Sequence, residues 1–374
     1  MKNKNLSRRK FIGKSVATSA AMTAFPMIAF SETSNDGKEE PIFPKSFEFS
    51  KKTEHLLSLL NIKYPIIQAP TGGAVTTALT AAVASSGGLG ALPLTWTSPK
   101  GSTKRINAVK KETKGSFFAN FVLQWEPEAL DETIDAGIKI IQFSWGIPDP
   151  AIVAKIKKAG IVLGIQVTSE ASTLAALEAG ADYLVCQGTE AGGHVHASRP
   201  LANALERVLK VAGDIPVVAS GGIATGSDMK KYMKMGAAGV VMGSRFVATK
   251  ESGAHPEYKE ALTKATADDT VFTVCLNKGW ENATHRIIRN KTFEMWEAAG
   301  CPQTGSRPGE DDVLVTYKTG EGKITRYQLA TPNTSMEGKV TEIGMYAGEG
   351  VGHINDIPSV DILMKRIWKE FQES

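Results

Sequence analysis

Asp182-Tyr183-Leu184-Val185-Cys186-Gln187-Gly188-Thr189-Glu190-Ala191-Gly192-Gly193-His194 is followed by Pro216-Val217-Val218-Ala219-Ser220-Gly221-Gly222-Ile223, and then by Gly239-Val240-Val241-Met242-Gly243-Ser244-Arg245-Phe246. Each stretch opens with a short apolar run, long enough for one buried strand, that stops abruptly at glycine or a small polar residue. Strands that are apolar on both faces and open at their C-terminal ends belong to parallel barrels, which bind ligands where the strands end. Glycine at such an end has a physical reason, because a backbone N–H can approach a phosphate only where no Cβ intervenes.

Outward from this core, apolar runs alternate with helical segments from Tyr64 onward. The pattern predicts strands over 65–68, 89–92, 117–121, 139–143, 162–167, 182–186, 216–219 and 239–242. Eight βα units in sequence predict a closed (β/α)8 TIM barrel, not an open sheet. Thr168 or Ser169 can cap a helix that runs to Ala179 and stops at Gly180; Thr225 or Ser227 can start the next, ending at Gly236. The repetition is structural and carries no function by itself. Beyond about residue 250 it ceases: His255 to Lys264 reads as a helix, and residues 302–325, rich in Gly, Lys, Asp and Thr, read as loop.

The chain has 374 residues, 42% hydrophobic and 22% charged, the balance of an ordinary globular protein. Its net charge of +4 is spread without a block of like charge, which argues against a nucleic-acid partner. Cys186, Cys275 and Cys301 make neither a disulfide framework nor a metal quartet; a Cys275–Cys301 bridge would need an oxidising compartment. At the N-terminus, Ser7-Arg8-Arg9-Lys10-Phe11-Ile12 is a twin-arginine signature, followed by an apolar run from Val16 to Phe30 that is too short and too polar to span a membrane. The expectation is a signal peptide over 1–32, a linker over 33–58, and delivery to the periplasm by the twin-arginine translocation machinery. That route carries folded proteins, often with a cofactor already inserted, so the signal independently favours a bound cofactor.

The chain resembles the nitronate monooxygenase family, also called 2-nitropropane dioxygenases, which are FMN-dependent barrels. The resemblance rests on Gln187 to His194, Ala219 to Ile223 and Gly243 to Phe246. It extends to Pro65 to Pro70, Ser144 to Pro148 and Tyr346 to Gly352, and so runs from about residue 60 to about residue 355. Gln-Gly-Xaa-Glu-Ala-Gly-Gly-His is its specific part, whereas Gly-Gly-Ile is shared by many phosphate-binding barrels. The resemblance implies an FMN-binding barrel over 59–250, a smaller, mainly helical substrate or cap region over 251–345, and a C-terminal loop and helix over 346–374. Arg286 to Asn290 fits the family pattern loosely.

His194 follows a strand end and two glycines, which predicts a mobile loop at the barrel mouth. Imidazole titrates near neutrality and can take or hold a proton, and in its glycine-rich context His194 reads as catalytic. His196, two residues on, has no third ligand at a suitable spacing, so no metal site is expected. Gly221, Gly222, Gly243 and Ser244 end the last two strands, where barrels commonly hold phosphate. The absence of a Gly-Xaa-Gly-Xaa-Xaa-Gly unit favours FMN over a dinucleotide. The resemblance implies flavin contacts from Asn120 and Gln166, and backbone contact with the flavin ring from Ala69, Pro70 and Thr71, where the family commonly has Met in place of Thr71. Gln187, Gly192 and Gly193 are further candidate cofactor contacts. Trp96, Trp125 and Trp145 follow strand ends; lining the pocket, they would suit a larger apolar or planar substrate, and the alternative is rim packing.

The expected activity is oxidation of alkyl nitronates by an exported FMN enzyme, with O2 as co-substrate and a carbonyl compound and nitrite as products. Flavin does the redox work and the protein supplies orientation and electrostatics. The rivals are an NAD(P)H-dependent flavin reductase acting on quinones or enoyl thioesters, and a non-catalytic periplasmic flavin or phosphate binder. A flavin-free isomerase or aldolase barrel would need a lysine or carboxylate at a strand end. A homodimer is compatible with the sequence.

Overall fold

The computed structural model describes residues 48–374; the twin-arginine segment lies outside the described residues. The chain enters through α1, Lys51–Leu60, whose N-terminus is capped by Ser50 Oγ accepting from Thr53 N at 3.2 Å. The linker expected over 33–58 is therefore helical from Lys51 onward. Leu56 and Leu60, four residues apart on one helix face, are wholly buried among the inward side chains of the barrel. Leu56 lies beside Gly239 at the start of the last barrel strand, so α1 closes the N-terminal end of the barrel.

The strands are β1 Ile66–Gln68, β2 Gly90–Pro93, β3 Phe117–Val122, β4 Ile140–Ser144, β5 Val162–Val167, β6 Tyr183–Gln187, the two-residue β7 Gly193–His194, β8 Val217–Ser220 and β9 Gly239–Met242. Eight of them, all but β7, form one parallel sheet in the order β1-β9-β8-β6-β5-β4-β3-β2. Its ends meet through Leu89, whose N–H donates to Ile66 O and whose carbonyl accepts from Gln68 N, both at 3.0 Å. The barrel predicted from the apolar runs is thus present, each strand within a residue or two of its expected place. Side chains alternate as the strand period requires. Ile67, Val185, Val218 and Val241 point inward with Leu56 and Leu60, while Ile66, Leu184, Val217 and Val240 pack against the helices.

The intervening helices are α2 Thr77–Ser85, α3 Pro99–Glu112, α4 Leu130–Asp135, α5 Pro150–Lys158, α6 Glu170–Glu178, α7 Leu201–Val211 and α8 Gly226–Lys234. Ser169 caps α6 and Thr225 caps α8, each in a reciprocal capping box with the residue three positions on. After β9 comes only α9, Ser244–Val247. The chain then leaves the barrel through α10, Pro256–Lys264, and α11, Lys291–Ala298, and returns as α12, Val360–Glu373, which packs against α8 and α2. The terminal helix therefore completes the outer ring where α9 is too short to do so.

The excursion, expected to be mainly helical, also carries two three-stranded sheets. In one, β10 Thr270–Thr273 and β11 His285–Ile288 pair antiparallel, and β11 also pairs with β7. In the other, β12 Val313–Tyr317 lies between β13 Lys323–Thr325 and β14 Met336–Gly338. Residues 302–325 are thus not all loop: Leu314 and Val315 are buried members of β12. Cys275 and Cys301 are free thiols, the first buried and the second exposed. Among the described residues no helix is long and apolar enough to cross a membrane.

Candidate active site

The C-terminal ends of the barrel strands open into a cavity of about 1260 Å3, larger than the roughly 300–1,000 Å3 usual for a small-molecule pocket. His194 and all the candidate cofactor contacts lie on its wall, as do Trp96 and Trp145, whereas Trp125 does not. Just past the tip of β8, Gly221 and Gly222 have φ of 135° and 65°, conformations that favour glycine. The amides of Gly222, Gly243 and Ser244 find no acceptor among the described residues. A Cβ on Gly243 would point toward Ala69 and Thr71, at 3.5 and 3.7 Å, at the tip of β1. Ser244 Oγ accepts from Gly348 N at 3.0 Å. These amides fit a phosphate, which they can bind without a cationic side chain.

The neighbouring strand ends carry neutral amides. Asn120 Nδ2 on β3 donates to Gln142 O at 3.1 Å and Ser144 Oγ at 3.0 Å. Gln166 Oε1 on β5 accepts from Trp145 N at 3.2 Å, holding a residue whose φ is 61°. Gln142 Oε1 accepts from the Tyr183 hydroxyl at 3.1 Å. Each amide is oriented by one of its ends and has the other left for a ligand: Oδ1 of Asn120 to accept, Nε2 of Gln142 and Gln166 to donate. Such a mixed set suits the neutral ring edge and hydroxylated chain of a flavin. Gln142 and Ser144 are not among the cofactor contacts expected from the sequence, although they lie at the end of β4 beside Asn120.

His194 does not sit on a free loop. As part of β7 it pairs with His285, and Gly193 pairs with Arg286. Val195 N donates to Thr284 O at 2.8 Å. Arg286 donates to Thr189 O through Nε and Nη2, at 3.1 and 2.9 Å, and forms an ion pair with Glu349 at 2.9 Å. Glu190 caps α7, its carboxylate accepting from Leu201 N. Gln187 Nε2 donates to His194 O at 3.3 Å, and its Oε1 accepts from His196 N at 2.8 Å. Although it lines the cavity, Gln187 is therefore an anchor of the 194–196 backbone. Gly192 is required by close packing, because a Cβ there would lie 2.4 Å from Gly348 N.

The His194 ring lies among aromatic groups. It stacks on Trp280 at 4.5 Å between centroids, with Tyr346 at 5.5 Å, His285 at 5.6 Å and Trp145 at 6.4 Å. Trp280 meets Trp145 and Trp125 edge-on, and Trp125 meets Trp96 at 5.1 Å. Trp96 and Trp145 line the cavity, as does Trp280, with Trp125 between Trp96 and Trp280. Trp280 falls between β10 and β11, outside the barrel repeat, and nothing in its local sequence marks it as a site residue. His285 is a neutral support: Leu276 N donates to its Nε2 at 3.2 Å, Nδ1 faces Ala283 O at 2.9 Å, and burial pulls its pKa down to about 4. His196 stacks on Trp145, and burial lowers its pKa as well. The Tyr346 hydroxyl is buried on the cavity wall without a hydrogen-bond partner among the described residues, and burial raises its pKa. No group of three or more His, Cys, Asp or Glu side chains among the described residues could hold a metal.

The family model for nitronate monooxygenase matches residues 53–370. The nitronate monooxygenase of Pseudomonas aeruginosa is 27% identical over 358 residues, which covers 83% of this chain and 97% of the relative. A probable nitronate monooxygenase of Staphylococcus saprophyticus is 31% identical over 269 residues, covering 60% of this chain and 76% of the relative. Among solved structures, FabK from Thermotoga maritima has a TM-score of 0.68 and 27% identity, covering 85% of this chain and 96% of that chain. A single match that spans the barrel, the cap and most of the last helix takes in nearly all of the described fold: the chain belongs to the nitronate monooxygenase family and is a flavin-dependent oxidoreductase.

Proposed function

We propose that this protein is an exported FMN-dependent nitronate monooxygenase that oxidises alkyl nitronates with O2 to a carbonyl compound and nitrite. The observation that carries the reading is His194: fixed by β11 and stacked on Trp280, it shares one cavity with the amide-bearing tips of β8 and β9. FMN is favoured because those tips offer amides for one phosphate, from Gly222, Gly243 and Ser244, and the chain carries no dinucleotide motif. Asn120, Gln142 and Gln166 would meet the ring edge or the hydroxylated chain. Once bound, the flavin would supply the electron transfer from nitronate to O2.

His194 has two tasks in this scheme. As a neutral base it removes the α-proton of a nitroalkane; as imidazolium it holds the nitronate anion. The face of Trp280 stabilises the charged ring and keeps water from that side. His285, held neutral, places no competing charge behind it.

The aromatic wall favours a second reading, an NAD(P)H-dependent reductase of planar acceptors. Anaerobic mixing of the yellow protein with butyl nitronate, and separately with NADPH, decides between them. Bleaching by the nitronate alone supports the monooxygenase, and bleaching by NADPH alone overturns it. The periplasmic address rests on Arg8 and Arg9. Replacing both with Lys should leave the folded, flavin-loaded protein in the cytoplasm, and undiminished export of that variant would end this part of the proposal.

A further inference from the structure

The buried arginines of this fold come with carboxylates. Arg245 pairs with Asp356, Arg286 with Glu349, Arg307 with Glu310, and Arg326 with Asp312 and Glu342. Arg105, half-buried on α3, has no carboxylate within ion-pair distance among the described residues. Its hydrogen bonds go to uncharged acceptors: Nη1 donates to Pro93 O at 2.8 Å and Thr97 Oγ1 at 3.3 Å, and Nη2 to Val75 O at 3.3 Å. A guanidinium has five N–H groups, so these three bonds leave two unspent along with the whole charge. Burial draws its pKa below the ordinary arginine range. A desolvated cation without a counter-charge is costly, and an incoming anion would offset that cost.

Arg105 faces a second chamber of about 410 Å3, which Thr77 and Thr97 also line. Gly72, Gly73 and Trp96 belong to the walls of both this chamber and the main cavity, so the two adjoin. With a flavin held in the main cavity, the side chamber remains as further space that a small nitroalkane does not need. We propose that the side chamber is an oxyanion site, in which Arg105 holds the carboxylate or phosphate at the far end of an elongated substrate whose reacting end lies beside His194. The inference deepens the nitronate reading and rests on it for the chemistry of the reacting end. The planar fork of Arg105 suits a two-oxygen anion, and Trp96 offers an apolar wall to the linking chain.

Steady-state turnover of the holoenzyme on butyl nitronate and on the nitronate of 4-nitrobutanoate tests the proposal. In the R105Q variant, KM for the carboxylated substrate should rise roughly tenfold or more, the scale of a lost charge-assisted bond. Its kcat, and both constants for butyl nitronate, should hold. Inorganic phosphate should compete with the carboxylated substrate in the unmodified enzyme. Phosphate binding without any Arg105-dependent preference between the two nitronates would mark a site for free anions and overturn the proposal. R105K, which keeps the charge among the same three acceptors, should retain part of the preference and serves if R105Q does not fold. Titrating the holoenzyme with glutarate, followed by tryptophan fluorescence, gives a readout independent of turnover. Saturable binding lost in R105Q supports the oxyanion site even if no nitronate is oxidised, in which case only the activity falls. Absence of glutarate binding, with equal KM changes for both nitronates, sinks the oxyanion site while leaving the monooxygenase intact.

Discussion

The imidazole of His194 lies nearly parallel to the indole of Trp280, with ring centroids 4.5 Å apart and planes inclined by 18°. The two residues come from different parts of the fold, one just past β6 and the other between β10 and β11. The stack therefore joins barrel to cap at the candidate base. Removing it with Trp280→Leu should lower kcat/KM about tenfold, the scale of a desolvated cation–aromatic contact, while flavin content stays near normal. Trp280→Phe keeps an aromatic face and should recover most of the loss. Equal kinetics for the Leu and Phe variants would show that the ring face is irrelevant.

His194→Asn keeps a polar side chain on β7 and removes the titratable group. Turnover should fall by roughly 10²-fold or more, the scale of a lost general base. The loss should be larger for a neutral nitroalkane than for a preformed nitronate, since only the former gives up a proton. Near-normal rates on both substrates would leave His194 without a chemical role.

Gly243→Val tests the phosphate cradle. The new Cβ would meet Ala69 and Thr71 at ordinary contact distances of 3.5 and 3.7 Å, and the backbone there has a negative φ of −105°, so the fold should survive. Its branches would occupy space at the tip of β9. The purified variant should show a normal far-ultraviolet circular dichroism spectrum but flavin binding weakened at least about tenfold, as from a lost hydrogen bond to a charged group. A fully yellow variant would place the phosphate elsewhere.

His285 predicts how stability depends on pH. Its ordinary value of 6.5 describes the unfolded chain, and burial lowers it to about 4 in the folded protein. Between these values the unfolded chain binds more protons, so acid favours unfolding. The contribution of neutral His285 is complete above about pH 6.5 and is lost as the pH falls to about 4. Urea midpoints measured at pH 7.5 and at pH 4.5 should show the loss, and His285→Gln should shrink the difference. Asp356 and Glu310, held below the carboxylate range chiefly by Arg366 and Arg307, weaken at lower pH and are distinguishable on that ground. An unchanged difference in the variant would remove His285 as its source.

The barrel was legible because its strands are apolar on both faces and end in glycine or small polar residues, a signal local enough to read one strand at a time. The tips of β8 and β9 were legible for the same reason, as was His194. The partner of β7 was not: Gly193 and His194 read as loop because two residues carry no periodicity, and only β11, some ninety positions on, makes them a strand. Gln187, a candidate contact that lines the cavity, has a second task the sequence does not show: both ends of its amide bind the 194–196 backbone. Arg105 carries no mark in its local sequence either; what sets it apart is a missing counter-charge, which is visible only when every neighbour is in place.

The pairing of β7 with β11 also has a temporal side. All eight barrel strands have been synthesised once Met242 is made, but the strand that aligns His194 is not complete until Ile288, and Gly348 must follow before Ser244 and Gly192 have their neighbour. The outer ring waits longer still, because α12, Val360–Glu373, is the last element made. The bearing of His194 and the closure of the ring thus both depend on the C-terminal third of the chain, and a chain cut after Met242 would have every barrel strand and neither of these.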